Sequence, residues 1–507
     1  MTQTKPSIDL SSLMSLCKRR GFIFQSSEIY GGLASTWDYG PLGVELKRNI
    51  KDLWWRKNVW ERDDMVGLDA AILMHPQVWV TSGHVANFND PLTECKSCNA
   101  RIRPDHIKVI KVVSSEGQEL GLVSYNGAMA ITESKELRER ADAVAKAAGQ
   151  KFGKYEETGT AADFPIAQVP CPQCGAKAGN LTEPRLFNLM FDTYLGPVKA
   201  EDKKVFLRPE TAQGIFVNFN NVLTATRKKL PFGIAQVGKA FRNEITTGNF
   251  IFRTREFEQM EIEYFVKPQQ GESAYLEWVE DCLNWYCNLG VKRENLRIRP
   301  HDPEELSHYS TGTSDIEYMF PWGWGELSGV ASRTDFDLKA HSNATGQTMT
   351  YFDEETKEHI TPYVIEPSMG VERALMVFLL DAYNEEEMPA GGGKSETRIV
   401  LRLHPALAPV KVAVLPLSRN EKLAPLSSDV FNIVRRSGIN GMVQFDDSQS
   451  IGRRYRRQDE IGTPLCVTVD FDSLEDKSVT IRERDSMQQV RVKTDDLVGE
   501  LKKRLGG

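Results

Sequence analysis

No apolar run in the 507-residue sequence approaches the roughly 18 residues that a membrane span needs. The first ten residues, Met1 to Leu10, are polar and lack the apolar stretch of a secretion signal, which argues for a cytoplasmic chain with no membrane partner. A surplus of positive charge is missing as well: 63 Lys and Arg stand against 70 Asp and Glu, a formal net charge of -7. Bulk attraction to nucleic acid is thereby excluded, so a nucleic-acid partner needs local basic patches. Cysteine is sparse, eight in all, and without a secretion signal a disulfide framework is the poorer use for it. No internal repeat is present. What remains is a globular composition, 40% hydrophobic and 26% charged. At roughly 150 residues per domain, the length suggests about three domains.

Four cysteines form two C-x-x-C pairs, Cys95-Lys96-Ser97-Cys98 and Cys171-Pro172-Gln173-Cys174. Two such pairs supply the four soft ligands that tetrahedral zinc takes, and four thiolates leave no open position for a substrate. A structural zinc pinning both ends of an insertion is therefore expected, with buried free thiols as the other reading. Cys17, Cys282, Cys287 and Cys466 are read as residues without a role.

Texture changes along the chain. Residues 1–94 mix Gly, Trp and Tyr loops with a helical pattern, Leu42, Leu46, Ile50, Leu53 and Trp54, after Gly40-Pro41. Residues 95–174 hold a β-rich piece (Ile107 to Val113) and a charged, Ala-rich helical stretch (Glu133 to Lys151), which reads as an inserted subdomain. Residues 175–384 carry alternating runs such as Phe232 to Val237 and Glu256 to Phe265, as long antiparallel strands do. An acidic, Gly-rich piece, Glu385 to Ser395, reads as a flexible linker over 385–404. From 405 to 507, strand patterns near 410, 442, 465, 478 and 488 alternate with helical patterns near 421, 451 and 495. That spacing predicts a small three-layer α/β domain.

Gly391-Gly392-Gly393-Lys394-Ser395 looks like the end of a phosphate-binding P-loop, but Met388 stands where that motif needs its first glycine, and no apolar strand precedes it. Residues 239–261 offer phosphate chemistry of another kind. An expected strand carries Arg242, a polar loop runs from Ile245 to Phe252, and a returning strand carries Arg253, Arg255, Phe257 and Glu261. Alternation puts Phe257, Gln259 and Glu261 on one face, which then presents guanidinium forks, an aromatic plane and carboxylates. An ordinary salt-bridged hairpin is the competing reading. Further on, Glu366-Pro367-Ser368-Met369-Gly370-Val371-Glu372-Arg373 opens an apolar helix with a cation in its first turn, against the helix dipole. A broken local rule of this kind points to function. Gly323-Trp324-Gly325-Glu326-Leu327-Ser328-Gly329 sets Glu326 between glycines, where close approach is possible and a carboxylate can hold a metal ion.

These residues together resemble the glycyl–tRNA synthetases of the dimeric, class II type. Arg242-Asn243-Glu244 through Arg253 to Glu261 is similar to class II motif 2, Gly370-Val371-Glu372-Arg373 to motif 3, and Gly40-Pro41 with its helix to motif 1. Ser82-Gly83-His84-Val85, Phe88-Asn89-Asp90-Pro91, Arg103-Pro104-Asp105-His106, Arg208-Pro209-Glu210-Thr211-Ala212-Gln213-Gly214 and Glu326 to Gly329 resemble family stretches. The resemblance runs from about residue 10 to the C-terminus. It implies an α+β fold: a class II antiparallel sheet flanked by helices, an inserted zinc-pinned subdomain, and a C-terminal α/β anticodon-binding domain.

The implied reaction joins glycine to tRNA through glycyl-adenylate, with ATP and Mg²⁺. Phosphoryl transfer of this kind rests on positioning and charge neutralisation. By resemblance, Arg242 bridges the α-phosphate and the glycine carboxylate. Asn243, Glu244 and the segment Phe252, Arg253, Thr254, Arg255, Glu256 and Phe257 hold adenine and ribose. Arg373 binds the far phosphates and covers the other face of the base, Gly370, Val371 and Glu372 complete the ATP assignment, and Glu326, helped by the Leu327 backbone, holds Mg²⁺. Arg242, Glu326 and Arg373 are the catalytic assignments. Glycine offers only an ammonium, a carboxylate and the lack of a Cβ, so carboxylates must ring the ammonium. Glu210, Glu261 and Glu366 are the ring, with Ser368 as an acceptor. Arg103, Phe257, Glu258, Gln259, Met260, Pro367, Met369 and Gly370 complete the glycine assignment. A wall excludes the methyl of alanine, so no editing domain is expected.

Residues 405–507 carry 17 Lys and Arg against 15 Asp and Glu, net +2, which leaves -9 for the rest. Arg453, Arg454, Tyr455, Arg456 and Arg457 form the sharper local feature, suited to phosphates and an unstacked base and assigned to tRNA. A solvated basic helix is the other reading. A homodimer is implied by the motif 1 helix. A non-catalytic accessory subunit is disfavoured by the presence of Arg242, Glu326 and Arg373. A synthetase for threonine, proline or serine is disfavoured by the Arg-Pro-Glu-Thr-Ala-Gln and Glu-Pro-Ser stretches. A ligase acting without tRNA is disfavoured by the C-terminal domain.

Overall fold

The computed structural model describes residues 9–126, 135–245, 248–307, 310–390 and 394–506. The chain forms two compact units, one comprising residues 1–71, 210–240 and 249–507, the other residues 72–209 and 241–248. Among the described residues no helix is long and apolar enough to cross a membrane. Residues 1–8, Glu133 and Ser134, Thr246 and Thr247, and Gly391 to Gly393, of the sequence expectations above, lie outside the described residues.

A seven-stranded sheet organises the first unit. Its strands lie in the order Leu296–Pro300, Gly312–Phe320, Gly323–Thr334, Tyr363–Gly370, Glu256–Val266, Phe232–Phe241 and Met65–Gly67. The first five are antiparallel to their neighbours, and the last pair is parallel. The expected long antiparallel strands are therefore present. Alternation divides the two central strands sharply. Met260, Ile262 and Tyr264, with Ile365 and Met369 beside them, enter the main apolar cluster. Glu261 and Ser368, register partners, belong to the opposite face with Gln259, Glu263 and Glu366.

Helix Val371–Ala382 covers the apolar face. It leaves strand Tyr363–Gly370 with Gly370 as its cap residue, and every residue of it except Arg373 is buried. The predicted helical spacing after Pro41 is a helix, Pro41–Trp55, that buries Leu46, Ile50 and Trp54 in the same cluster. Helix Gly271–Asn288 adds Trp278, Leu283 and Tyr286. Each such side chain contributes about 1.5–3 kcal/mol of burial. One carboxylate fastens these elements: Glu372 accepts from Lys47 Nζ at 2.7 Å and from the Glu258 amide at 2.9 Å.

The C-terminal stretch bears out the three-layer expectation. Its sheet runs Met442–Phe445, Val410–Pro416, Leu465–Val469, Ser478–Glu483, Gln489–Lys493. Val412 and Val414 pack on Val430, Val434, Leu497 and Leu501, from helices Ala424–Arg435 and Leu497–Leu505. Ala413 and Leu415 turn the other way, to Ile451 and Tyr455 of helix Ile451–Ile461.

The linker expectation is corrected. Tyr383–Ala390 and Lys394–Leu401 are paired antiparallel strands. The acidity that reads as a flexible stretch is half of a cross-strand charge pattern: Glu386 stands opposite Arg398 and accepts from it at 2.8 Å, and Thr397 donates to Glu387 at 2.9 Å.

In the second unit, strands Glu119–Asn126, Ile107–Ser114 and Phe152–Thr160 form a three-stranded sheet in that order, with helix Lys135–Ala147 packed on it through Leu137 and Ala141. A second sheet orders Arg101–Ile102, Asn89–Glu94 and Arg185–Asn188.

Candidate active site

On the polar face of the two central strands, Glu261, Glu263 and Glu366 each bring a carboxylate oxygen within 4.8 Å of the others, and all three are buried. Thr211 Oγ1 donates to Glu261, and Gln259 Nε2 lies 3.3 Å from Glu261 Oε1 and 3.4 Å from Ser368 Oγ. Arg333 supplies a guanidinium, with Nη1 on Glu366 at 2.9 Å and a bidentate pair to Asp337 at 2.8 and 3.0 Å. Gln213 Nε2 bridges Asp337 Oδ1 at 2.9 Å and Glu210 Oε1 at 3.3 Å. Glu263 is fully buried, and neither of its oxygens has a hydrogen-bond partner among the described residues.

Electrostatics follows from this crowding. Burial, with Glu261 and Glu210 adding to it against the pull of Arg333, pushes Glu366 up to about 8. Burial and the Glu210 charge raise Glu261, and burial and the Glu366 charge raise Glu263 well above the ordinary carboxylate range. Neighbouring carboxylates out of water cannot all ionise, so the pocket holds protons or takes in a cation.

The sequence-assigned glycine residues divide here. Glu210 and Glu366 are joined through Gln213, Asp337 and Arg333, while Gln259, Glu261 and Ser368 share a second set of hydrogen bonds, and the two sets meet where the Glu261 and Glu366 carboxylates come within 4.8 Å. Glu258 joins neither set: Lys51 Nζ lies 2.9 Å and Lys47 Nζ 3.6 Å from its carboxylate, and these cations hold it below its ordinary value in spite of burial. Met260 and Met369 lie in the apolar core, and Pro367, of their parity, is buried with them. Their side chains are corrected out of the glycine ring, because alternation turns them to the far face. Glu263, Arg333, Asp337, Gln213 and His341 were not assigned from sequence. Glu263 has the same parity as Glu261, and that spacing was the available signal.

At the start of the motif 3 helix, Arg373 reaches back over the sheet. Its Nη1 lies 3.0 Å from the Glu326 carbonyl and 3.1 Å from Glu326 Oε1, and its guanidinium stands 4.5 Å from the Phe252 ring centroid. Phe252 meets Phe320 and Trp322 edge-on, at 5.0 and 5.3 Å. Glu326 and Arg373 are thus brought together with an aromatic plane, and the Glu326 charge, after burial itself, raises the nearby Asp315. Val371 and Glu372 are buried, the latter on Lys47, so ATP contact through their side chains is corrected to a supporting place; Leu327 is buried as well, which leaves the part expected of its backbone untouched. Gly370 leaves room beside the Arg373 stem: an added Cβ would meet Arg373 Cγ at 3.7 Å.

The motif 2 loop turns through left-handed backbone at Asn249 and Phe250, φ 58° and 60°. The return strand begins at Glu256, so Arg253, Thr254 and Arg255 precede it rather than lie within it. Arg255 Nη1 donates to the Ala34 carbonyl at 3.0 Å, Thr254 Oγ1 to the Glu256 carbonyl at 2.9 Å, and Glu256 pairs with Lys239. Phe257 is half-buried.

Arg242, Asn243, Glu244 and Arg103 belong to the second unit. Arg242 Nε donates to the Pro209 carbonyl at 3.1 Å, and its guanidinium lies 5.3 Å from the Phe88 ring centroid. The Asn243 amide donates to Leu189 at 2.7 Å, and that of Glu244 to the Arg242 carbonyl at 2.8 Å. Arg103 is held by Asp90 and, bidentately, by Asp105.

The four cysteines of the two C-x-x-C pairs converge in this unit. Cys98 and Cys171 sulfurs are 3.8 Å apart, Cys95 and Cys174 sulfurs 3.9 Å, and all four lie within 4.8 Å of one another. Those distances are far too long for disulfides. They match the sulfur separation of about 3.8 Å that a tetrahedral metal with bonds of about 2.3 Å requires. Burial opposes ionisation of Cys95, but amide N–H groups of Cys98 and Ser97 overcome it and draw the thiol down to about 7, whereas burial pushes Cys171 up to about 12.

The arginine cluster of helix Ile451–Ile461 is largely engaged, which corrects the tRNA assignment for two of its residues. Arg454 is fully buried and donates to the carbonyls of Ser448 at 3.2 Å, Asp447 at 2.6 Å and Gln449 at 2.6 Å. The Tyr455 hydroxyl bonds Thr468 Oγ1 at 2.5 Å, and its ring lies 4.7 Å from the Arg482 guanidinium. Their side of the helix faces the sheet, which helical spacing imposes. Arg456 pairs with Glu396 and Arg457 with Asp446, while Arg453 is exposed.

A family model described as the tRNA synthetase class II core domain (G, H, P, S and T) matches residues 195–382. Another, the anticodon binding domain, matches residues 411–504. The glycine–tRNA ligase of Thermobifida fusca is 52% identical over 501 residues, 98% of this chain and 98% of its own. That of Streptomyces coelicolor is 52% identical over 501 residues, 98% of this chain and 99% of its own. That of Caldanaerobacter subterraneus subsp. tengcongensis is 51% identical over 498 residues, again 98% and 99%. Identity at this level over nearly the whole length bears out the resemblance read from the motifs: the chain belongs to the glycine–tRNA ligase family of class II synthetases.

Proposed function

We propose that this chain attaches glycine to its tRNA in two steps. A glycine carboxylate oxygen attacks the α-phosphorus of ATP; a C–O–P bond forms and pyrophosphate leaves. A hydroxyl of the terminal tRNA adenosine then attacks the carbonyl carbon, and AMP leaves. The observation that carries this reading is the acid pocket. Glu210, Glu261 and Glu366 are the acceptors for the ammonium, and the cation removes the repulsion that otherwise keeps protons there. Arg242 neutralises charge at the α-phosphate and glycine carboxylate, and Arg373, over Phe252, acts at the far phosphates and the base. Mg²⁺ accompanies ATP, and the carboxylate of Glu326 suits a hard cation. The domain of residues 405–507 receives the tRNA, and of the arginine cluster Arg453 offers an exposed guanidinium. A cytoplasmic homodimer belongs to the same reading, and Val44 and Trp60, exposed on and just after the motif 1 helix, support it.

Pyrophosphate exchange without tRNA tests the reading. Glycine should support exchange, and alanine, serine, proline and threonine should not. Exchange with another of these amino acids would overturn the carboxylate ring as the glycine determinant, and no exchange at all would favour an accessory subunit.

Zinc at Cys95, Cys98, Cys171 and Cys174 is part of the proposal, supported by the sulfur spacing. It would supply structural cross-linking alone. Metal analysis should find about one zinc per chain, and chelation should expose residues 95–174 to protease; a metal-free chain equally resistant to protease would refute it.

A further inference from the structure

The side-chain amide of Gln213 is fully buried, and its orientation is forced. It lies against two carboxylate oxygens, Asp337 Oδ1 at 2.9 Å and Glu210 Oε1 at 3.3 Å. Carboxylates accept, so the amide nitrogen must face them. The amide oxygen then faces His341 Nε2 at 2.9 Å. That oxygen also only accepts, so His341 carries a proton on Nε2. Burial holds His341 below its ordinary pKa against the raising effect of Asp337, which keeps the ring neutral in that tautomer. Arg333 extends the chain from Asp337 to Glu366. A continuous run of hydrogen bonds therefore joins Glu210 to Glu366 through Gln213, Asp337 and Arg333, and His341 holds its middle.

We propose that His341 and Gln213 are positioning residues for glycine: the Nε2–H of His341 locks the Gln213 amide, and the locked amide sets where the Glu210 carboxylate stands relative to Glu366. The inference rests on the reading in which Glu210 accepts the glycine ammonium. Without the His341 donor, the buried amide oxygen is left without its partner, and the amide loses the bond that pins it against Glu210 and Asp337. Glycine has no side chain to supply compensating contacts, so a displaced carboxylate costs it affinity directly.

Pyrophosphate exchange measures the effect. His341→Leu should raise the KM for glycine about tenfold or more, while the KM for ATP stays within about twofold. His341→Gln, which keeps an N–H donor, should recover most of that loss. In a Glu210→Gln background, His341→Leu should add less than about twofold, because it acts through Glu210. Parallel rises in both KM values, no rescue by His341→Gln, or full additivity in the double variant would overturn the proposal. Glu210→Gln alone separates the two levels: an unchanged glycine KM removes the ammonium assignment, whereas a raised KM beside an inert His341→Leu removes the positioning role alone. Nitrogen-15 NMR of the histidine-labelled wild-type chain serves if His341→Leu does not fold. The signal lost in His341→Gln should be a neutral ring protonated on Nε2; a charged or Nδ1-protonated ring refutes the lock.

Discussion

The acid pocket and the buried ion cluster of the C-terminal stretch use the same residue types in opposite balance. Asp459, almost fully buried, accepts from Arg398 at 2.9 Å and from two nitrogens of Arg482 at 2.9 and 3.1 Å, and Arg398 also holds Glu386. There each charge meets its opposite, and the cluster ties the Tyr383–Leu401 hairpin to helix Ile451–Ile461 and strand Ser478–Glu483. In the pocket, Glu261, Glu263 and Glu366 crowd together beside Arg333, which is already shared with Asp337. A matched buried cluster is architecture; one with an excess of acid is built to receive a cation.

The largest test of that contrast breaks the matched cluster. Asp459→Ala takes the carboxylate from buried Arg482 and leaves Arg398 with Glu386 alone, and should cost about 3–5 kcal/mol in urea unfolding. A loss below about 1 kcal/mol would mean that the cluster is not closed by Asp459.

The next effect is in the pocket and depends on pH. Glu366 is raised to about 8, so below that pH the glycine-free chain holds a proton where the proposed ammonium contact needs a charge. Glycine affinity should rise with pH by up to about tenfold per unit and level off above about 8. Without glycine, stability moves the other way. The folded state retains a proton that the unfolded chain releases above about 4.5, so stability falls as pH rises from there through about 8. Calorimetric titration of glycine across this range, in the wild type and in Glu366→Gln, checks the sign. An unchanging affinity in the wild type would rule the protonated pocket out.

Removing an acid should matter far less in the pocket than in the matched cluster. Glu263→Gln replaces a protonated carboxyl with a neutral isostere and should cost below about 1 kcal/mol. A loss as great as that of Asp459→Ala would show that Glu263 is ionised and paired. The smallest effect belongs to exposed Arg453: Arg453→Ala should leave stability within about 0.5 kcal/mol. It should leave glycine-dependent exchange unchanged and raise the KM for tRNA a few fold. An unaltered tRNA KM would take Arg453 out of the interface.

Much of this was readable in the chain because β-structure has a period of two. Once Glu256 to Phe265 is read as a strand, Gln259 and Glu261 share a face, and Glu366 and Ser368 do the same on their own strand. Glu263 obeys the same rule, and its place on that face follows from the same alternation. Arg333, Asp337 and His341 were illegible for a different reason. Asp337 and His341 act through helix Phe336–Thr345 lying against Gln213, more than a hundred positions earlier, and Arg333 through a strand neighbour 33 residues on, and no local pattern records either. Arg454 misled in the opposite way. An arginine in a basic run reads as solvated, and what buries it is a set of backbone carbonyls, which carry no sequence signal. The Tyr383–Leu401 hairpin was hidden because acidity and glycine suggest a tether, while the arginines that neutralise it stand on the other strand.

The Glu372 carboxylate gathers Lys47 and the Glu258 amide, and Lys47 precedes it by 325 residues. Chains are made from the N-terminus, so at the ribosome Lys47 waits for most of the polypeptide before its partner exists. Until then the lysine of the motif 1 helix has only the more distant Glu258 carboxylate, 3.6 Å away in the folded chain, and Arg373, the next residue to be added, has not been made. A truncated product ending before residue 372 therefore lacks both the bolt and the guanidinium beside it. A fragment that ends before these two residues cannot close this part of the site.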